Sequence, residues 1–204
     1  MSHNVRRLLV QLVFGIDTTA AIVICSTLGL IFGIDGSALE YLGYLAFAGF
    51  CSYLPDFDLL VFLPLRKRYG WTSHWVIGHY PIVVIPAATL LTFWGATELG
   101  LEEIMFLTLV AATGTTGHFI HDSMEECGFP WLAPLYWGHL SLKGGRPKIV
   151  PRSAFERLAA GQAQQMNETD LGGTLVVMSE PIPEWQKVLW CLSVFEFATW
   201  MAFR

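Results

Sequence analysis

Long apolar runs alternate with short polar connections along the chain, and five of the runs read as membrane crossings. Segment one extends from about Leu8 to Phe32, with Asp17 as its only ionisable group. Segment two, about Ala38 to Tyr53, is shorter and is followed by the apolar run Leu59 to Leu65. Segment three begins near His74 and reaches about Thr97, with Pro81 and Pro86 in its first half. Segment four spans about Glu103 to Met124, and segment five about Trp185 to Phe203. Apolar stretches near twenty residues match a hydrocarbon core of about 30 Å at a helical rise of about 1.5 Å per residue. The expected fold class is therefore all-α, a polytopic helical membrane protein with about five transmembrane helices. Residues 1–142 are expected to form a membrane-embedded core of four helices that carries the candidate site, and residues 183–204 a C-terminal transmembrane helix. Residues 143–182, with Gly144-Gly145, Pro147, Pro151, an amphipathic stretch at 153–165 and the run Thr174 to Met178, read as a cytoplasmic interfacial region of helix and irregular structure.

Composition agrees with the pattern. Of 204 residues, 53% are hydrophobic and only 14% charged, and the mean hydropathy is +0.49. Those values do not fit a soluble domain. A formal charge of −5 without a basic tract gives no indication of nucleic-acid binding. Cys25, Cys51, Cys127 and Cys191 are scattered without a CxxC spacing, and read as small buried apolar residues. Segment one is too long for a signal peptide and lacks a small-residue cleavage pattern, so it is read as a retained anchor.

Charge decides the orientation. Arg6 and Arg7 precede segment one, and Arg66, Lys67 and Arg68 lie between segments two and three. Lys143, Arg146, Lys148, Arg152, Arg157 and Lys187 lie between segment four and the start of segment five. The two remaining connections carry Asp35, Glu40, Glu98, Glu102 and Glu103, and no Lys or Arg. The positive-inside rule then gives a cytoplasmic N-terminus and an external C-terminus in the inner membrane.

Three acid and histidine clusters fall on that cytoplasmic side. They are Pro55-Asp56-Phe57-Asp58, the pair His74 and His79, and His118-Phe119-Ile120-His121-Asp122. Imidazoles and carboxylates brought together from separate elements are what a divalent metal requires. On a helix His118 and Asp122, at i and i+4, share one face, and His121 lies close to it. His74 and His79 are five apart and would diverge on an uninterrupted helix, but Gly78 and Pro81 suggest that a helix starts or breaks there. Ionisable groups within a crossing are costly unless paired or functional.

In order and spacing these motifs resemble the YdjM-like family of membrane-bound metal-dependent hydrolases. The shared features are Pro-Asp-x-Asp after the second segment, a His-x4-His, and His118-x3-Asp122-Ser123 followed by Gly128, Pro130 and Pro134. The resemblance covers residues 8–142. Around His74 and His79 the chain departs from the family pattern at Trp75, Val76, Gly78 and Tyr80. Gln11 stands where the family has a histidine early in segment one, and Asp17, about 9 Å further along a helix, is a candidate to substitute for it.

The resemblance implies a hydrolase related to zinc-dependent phospholipase C and P1-type nucleases, acting on phosphoesters. It implies Asp56, Asp58, His74, His79, His118 and Asp122 as ligands of one or more divalent metals, zinc before others. Asp122 and His121 are the expected catalytic residues, with His139 as an alternative proton carrier. The expected partners are the lipid bilayer and a lipid or phosphoester substrate. Two other readings are an interaction protein that keeps the metal site without catalysis, and a metal-ion or proton transporter. Transport asks for ionisable groups deep within the crossings, and Asp17 is the single one read here.

Overall fold

Several helix boundaries in the computed structural model have a local chemical cause. The structure describes residues 15–57, 80–124, 131, 139–142, 147–150 and 184–202. Helix α1 (Ile16–Phe32) carries Asp17 in its first turn, where a carboxylate meets the positive end of the helix dipole. It stops at Gly33, which takes the left-handed conformation with φ 64°. Helix α2 (Ala38–Tyr53) opens with a capping box. Ser37 Oγ accepts from the Glu40 amide at 3.3 Å, and Glu40 Oε2 accepts from the Ser37 amide at 2.6 Å. Ser37→Ala should therefore lower stability by about 1 kcal/mol. Thermal unfolding in detergent checks this, and an unchanged midpoint contradicts it.

The chain leaves α2 through a 3-10 turn, Leu54–Phe57, that contains Pro55 and Asp56. Helix α3 (Pro81–Glu98) starts with proline at its first position, where a missing N–H leaves no bond unmade. Helices α4 (Ile104–Asp122) and α5 (Glu184–Ala202) complete the helices among the described residues. These match segments two, four and five to within two residues. Segment three is helical from Pro81, at the break expected there. Residues 8–14, the run 59–65, Cys127 and the stretches 153–165 and 174–178 lie outside the described residues.

Helix α4 is central, packing on α1, α2 and α3, while α5 packs on α1. The side chains between the helices are mostly small or hydroxylated: Ala21, Cys25, Ser26, Ala48, Cys51, Ser52, Ala111 and Thr115 are buried. Large apolar residues such as Ile31, Leu42, Leu90, Trp94, Leu192 and Phe195 are exposed. That is the reverse of a water-soluble fold, and it is what lipid favours: close backbone approach inside, bulk outside. Many hydroxyls on the helices are satisfied within their own helix. Those of Ser26, Thr89, Thr97, Thr108, Thr113, Thr116 and Thr199 donate to the carbonyl four residues earlier. By length and composition α3 and α4 can cross a membrane, and α1 is a shorter apolar helix.

Trp200 joins α5 to the end of α1. Its ring is fully buried, meets Tyr41 edge-on at 4.5 Å, and donates from Nε1 to the Ile34 carbonyl at 3.3 Å. One turn earlier in α5, Glu196 Oε1 accepts from Thr27 Oγ1 at 2.7 Å. Asp17 is therefore not the single ionisable group inside the apolar segments, as the sequence reading had it. Glu196 passed unnoticed in segment five because it stands alone among aromatic and aliphatic neighbours.

A second departure concerns the all-helical expectation. Strands β1 (His139–Ser141) and β2 (Lys148–Val150) pair antiparallel, with His139 opposite Val150 and Ser141 opposite Lys148. The boundary expected after residue 142 falls between these two strands. Gly144-Gly145 ahead of the β-branched pair Ile149-Val150 is a hairpin signal that the helical reading passed over.

Candidate functional site

The start of α1, the end of α2 with its 3-10 turn, and the end of α4 meet at one end of the bundle. Three contacts fix them there. Thr18 Oγ1 and Tyr53 OH share a hydrogen bond of 2.9 Å, tying the first turn of α1 to the last residue of α2. Thr115 Oγ1 donates to the Cys51 carbonyl at 3.3 Å, across α4 and α2. One residue earlier, a Cβ on Gly114 would stand 3.3 Å from Ser52 Oγ and 3.6 Å from the Ala48 carbonyl, so the hydrogen lets the two helices close.

His118, one turn before the end of α4 and only 3% exposed, is the hub of this end. Its Nε2 lies 3.3 Å from Asp122 Oδ2, the i,i+4 neighbour, and 3.6 Å from Asp56 Oδ1 in the 3-10 turn. Its Nδ1 lies 3.7 Å from Asp17 Oδ1. The other oxygen of Asp17, Oδ2, lies 3.3 Å from His121 Nδ1. Asp17 is 13% exposed, whereas Asp56 and His121 are 36% and 41% exposed, so the cluster is closed at Asp17 and open at Asp56 and His121.

Ser123, the next residue after Asp122, fixes the end of α4. Its buried hydroxyl donates to the Phe119 carbonyl at 2.7 Å and accepts from Trp131 Nε1 at 2.8 Å. Its carbonyl accepts from the Leu142 amide at 2.6 Å, hanging the β1–β2 pair from the same point.

Asp56, His118 and Asp122, expected as ligands, are thus brought together, and His121 joins the same cluster through Asp17. Asp58, His74 and His79 lie outside the described residues. His139 sits in β1, with its backbone opposite Val150. The Thr18–Tyr53 and Ser123–Trp131 bonds were not foreseen. Ser123 stood in the motif, but neither bond has a spacing that marks it.

Two ligands each about 2.0–2.2 Å from a tetrahedral zinc stand about 3.3–3.6 Å apart, which is the range of the two distances at His118 Nε2. Among the described residues, no three His, Cys, Asp or Glu side chains already surround one point at coordination distance. The donors here touch one another instead, and half of the expected ligands are not among them.

Small and hydroxylated residues inside, bulky apolar residues outside and an acid–imidazole cluster at one end define a helical membrane protein. The chain belongs to the YdjM inner membrane protein family, whose model matches residues 16–194. The match runs well past residue 142, where the resemblance was expected to stop, and takes in most of α5. No curated protein and no solved structure matches the chain.

Proposed function

We propose that the protein is a metal-dependent hydrolase of the inner membrane, acting on a phosphoester or lipid-linked phosphate at the cytoplasmic face. The observation that carries this reading is the position of His118 Nε2 beside both Asp56 and Asp122, at ligand-to-ligand distances, with the donors drawn from two elements, α4 and the 3-10 turn. His118, Asp56 and Asp122 would hold a divalent cation, zinc first, with Asp58, His74 and His79 completing the set. A cation bound there would polarise a phosphoryl oxygen and lower the pKa of water toward 7. Asp122, beside His118, would accept a proton from an attacking water. His121 is engaged at Nδ1 by Asp17 and open to solvent on its other side, which suits a proton carrier.

The orientation belongs to the same proposal. Trp200, near the end of α5, meets the end of α1 remote from Asp17, so α5 runs away from the cluster. That supports a C-terminus on the side opposite the cluster; with the basic connections it makes the proposed reading five crossings, the cluster and N-terminus cytoplasmic and the C-terminus outside. The same proposal takes residues 1–142 as the membrane core, 143–182 as an interfacial region and 183–204 as a last crossing. A reporter fused after Arg204 should be active only if it functions outside the cytoplasm. Activity of a cytoplasmic reporter there would contradict the five crossings.

The chemistry is tested by incubating the zinc-loaded protein in detergent with phosphatidic acid, a polyprenyl diphosphate and a soluble phosphomonoester. Phosphate release from either lipid is the expected result. Zinc retention without release from any of the three would favour the non-catalytic interaction protein instead.

A further inference from the structure

Asp17 lies outside every motif that carries the proposed metal site, yet it touches both imidazoles. We propose that Asp17 is a positioning residue, whose two carboxylate oxygens hold the Nδ1 sides of His118 and His121 and leave their Nε2 atoms facing away from it. This rests on the reading that His118 Nε2 is a metal donor.

The two sides of the His118 ring are occupied differently. Asp17 faces Nδ1, while Asp56 and Asp122 face Nε2. A carboxylate on the side of a ring opposite the ligand atom is the arrangement that fixes the tautomer and raises the basicity of a ligating imidazole. Asp17 divides its oxygens, Oδ1 toward His118 and Oδ2 toward His121. It therefore sets the relation between the two rings as well as the attitude of each.

Asp17 is itself held in place. It stands in the first turn of α1, at the positive end of the helix dipole. The turn is anchored on both sides of the chain's contact with α2. Thr19 Oγ1 donates to the Gly15 carbonyl at 3.0 Å, and Thr18 bonds Tyr53, three residues before Asp56. A carboxylate so anchored orients a partner and does not follow it. Asp17 thereby takes a different role from the ligand substitute that its sequence position suggested: it supports the metal-binding ring from behind.

The test compares the unmutated protein with Asp17→Ala, Asp17→Glu and His118→Ala, all purified in detergent. The first readout needs no metal for His121. Histidine 15N spectra, recorded where both rings are neutral, should show the Nδ1–H tautomer for His121 without metal, and for His118, whose Nε2 faces two nearer carboxylates, once zinc is added; both preferences should be lost in Asp17→Ala. Retention of the same tautomers in Asp17→Ala would overturn the proposal. The second readout is Co²⁺ titration followed by visible absorption. Affinity should fall about 10–100-fold in Asp17→Ala, with the stoichiometry kept and part of the loss recovered in Asp17→Glu. Complete loss of Co²⁺ in Asp17→Ala, equal to that in His118→Ala, would make Asp17 a ligand and overturn the positioning role. If the unmutated protein takes up no Co²⁺ or Zn²⁺, the metal reading fails, and the tautomer of His121 still decides whether Asp17 orients that ring.

Discussion

Replacing His118 with alanine is expected to abolish zinc retention and to lower phosphate release by more than about a hundredfold, the upper range for loss of an outer-shell partner. His118 is in contact with three carboxylates, those of Asp17, Asp56 and Asp122. Without it, the start of α1, the 3-10 turn and the end of α4 keep their acids but lose the imidazole between them. Three carboxylates then face a gap of roughly ring size, and the loss of stability is on the order of 3 kcal/mol, as for a buried pair deprived of one partner. His118→Gln separates the two effects. Its amide refills much of the volume and donates a hydrogen bond, so folding should largely recover while zinc binding does not. Zinc analysis after gel filtration, beside thermal unfolding of both variants, checks this. Full zinc occupancy in either variant would contradict the role given to His118.

At the far end of the bundle, Gly29→Leu should be the most disruptive substitution for folding. A Cβ on Gly29 would fall inside the indole of Trp200. The indole has nowhere to go: it is fully buried, braced by Tyr41 and Phe197, and tied through Nε1 to the Ile34 carbonyl. Even Gly29→Ala must push α5 away from α1, at about 1–3 kcal/mol for overpacking, and leucine must cost more. The two positions should couple, so that Gly29→Ala is less harmful when Trp200 is already leucine. Thermal unfolding of the single and double variants measures the coupling. Additive effects would mean that the indole does not rest on Gly29. Because Gly29 lies about 18 Å along α1 from Asp17, Gly29→Ala should leave zinc stoichiometry unchanged.

These two ends of the molecule were unequally legible in the sequence. The helices were legible because lipid imposes one simple demand, a run of apolar residues long enough to cross, and Ser37, Gly33 and Pro81 mark where runs begin and end. His118 and Asp122 were legible because i,i+4 spacing within a single helix is already a spatial statement. Asp56 needed the charge pattern of the connections to bring its turn to the same face. Gly29 under Trp200 was not legible, since a glycine in an apolar run looks the same whether it faces lipid or an indole. The same holds for Thr18 with Tyr53 and for Ser123 with Trp131, where the pairing depends on how the helices rotate against one another. The hairpin was missed for a different reason: three-residue strands carry too few positions for a period of two to stand out beside long helices. Asp17 fell between the two cases, visible as an isolated acid in a crossing while its partners were not.

The central claim is that the cluster around His118 binds a metal. Elemental analysis of the unmutated protein, purified in detergent without chelators and desalted after exposure to zinc, tests it most directly. At least one zinc per chain is predicted. A protein that is folded by thermal unfolding and yet carries no zinc, or any other divalent metal, would contradict it.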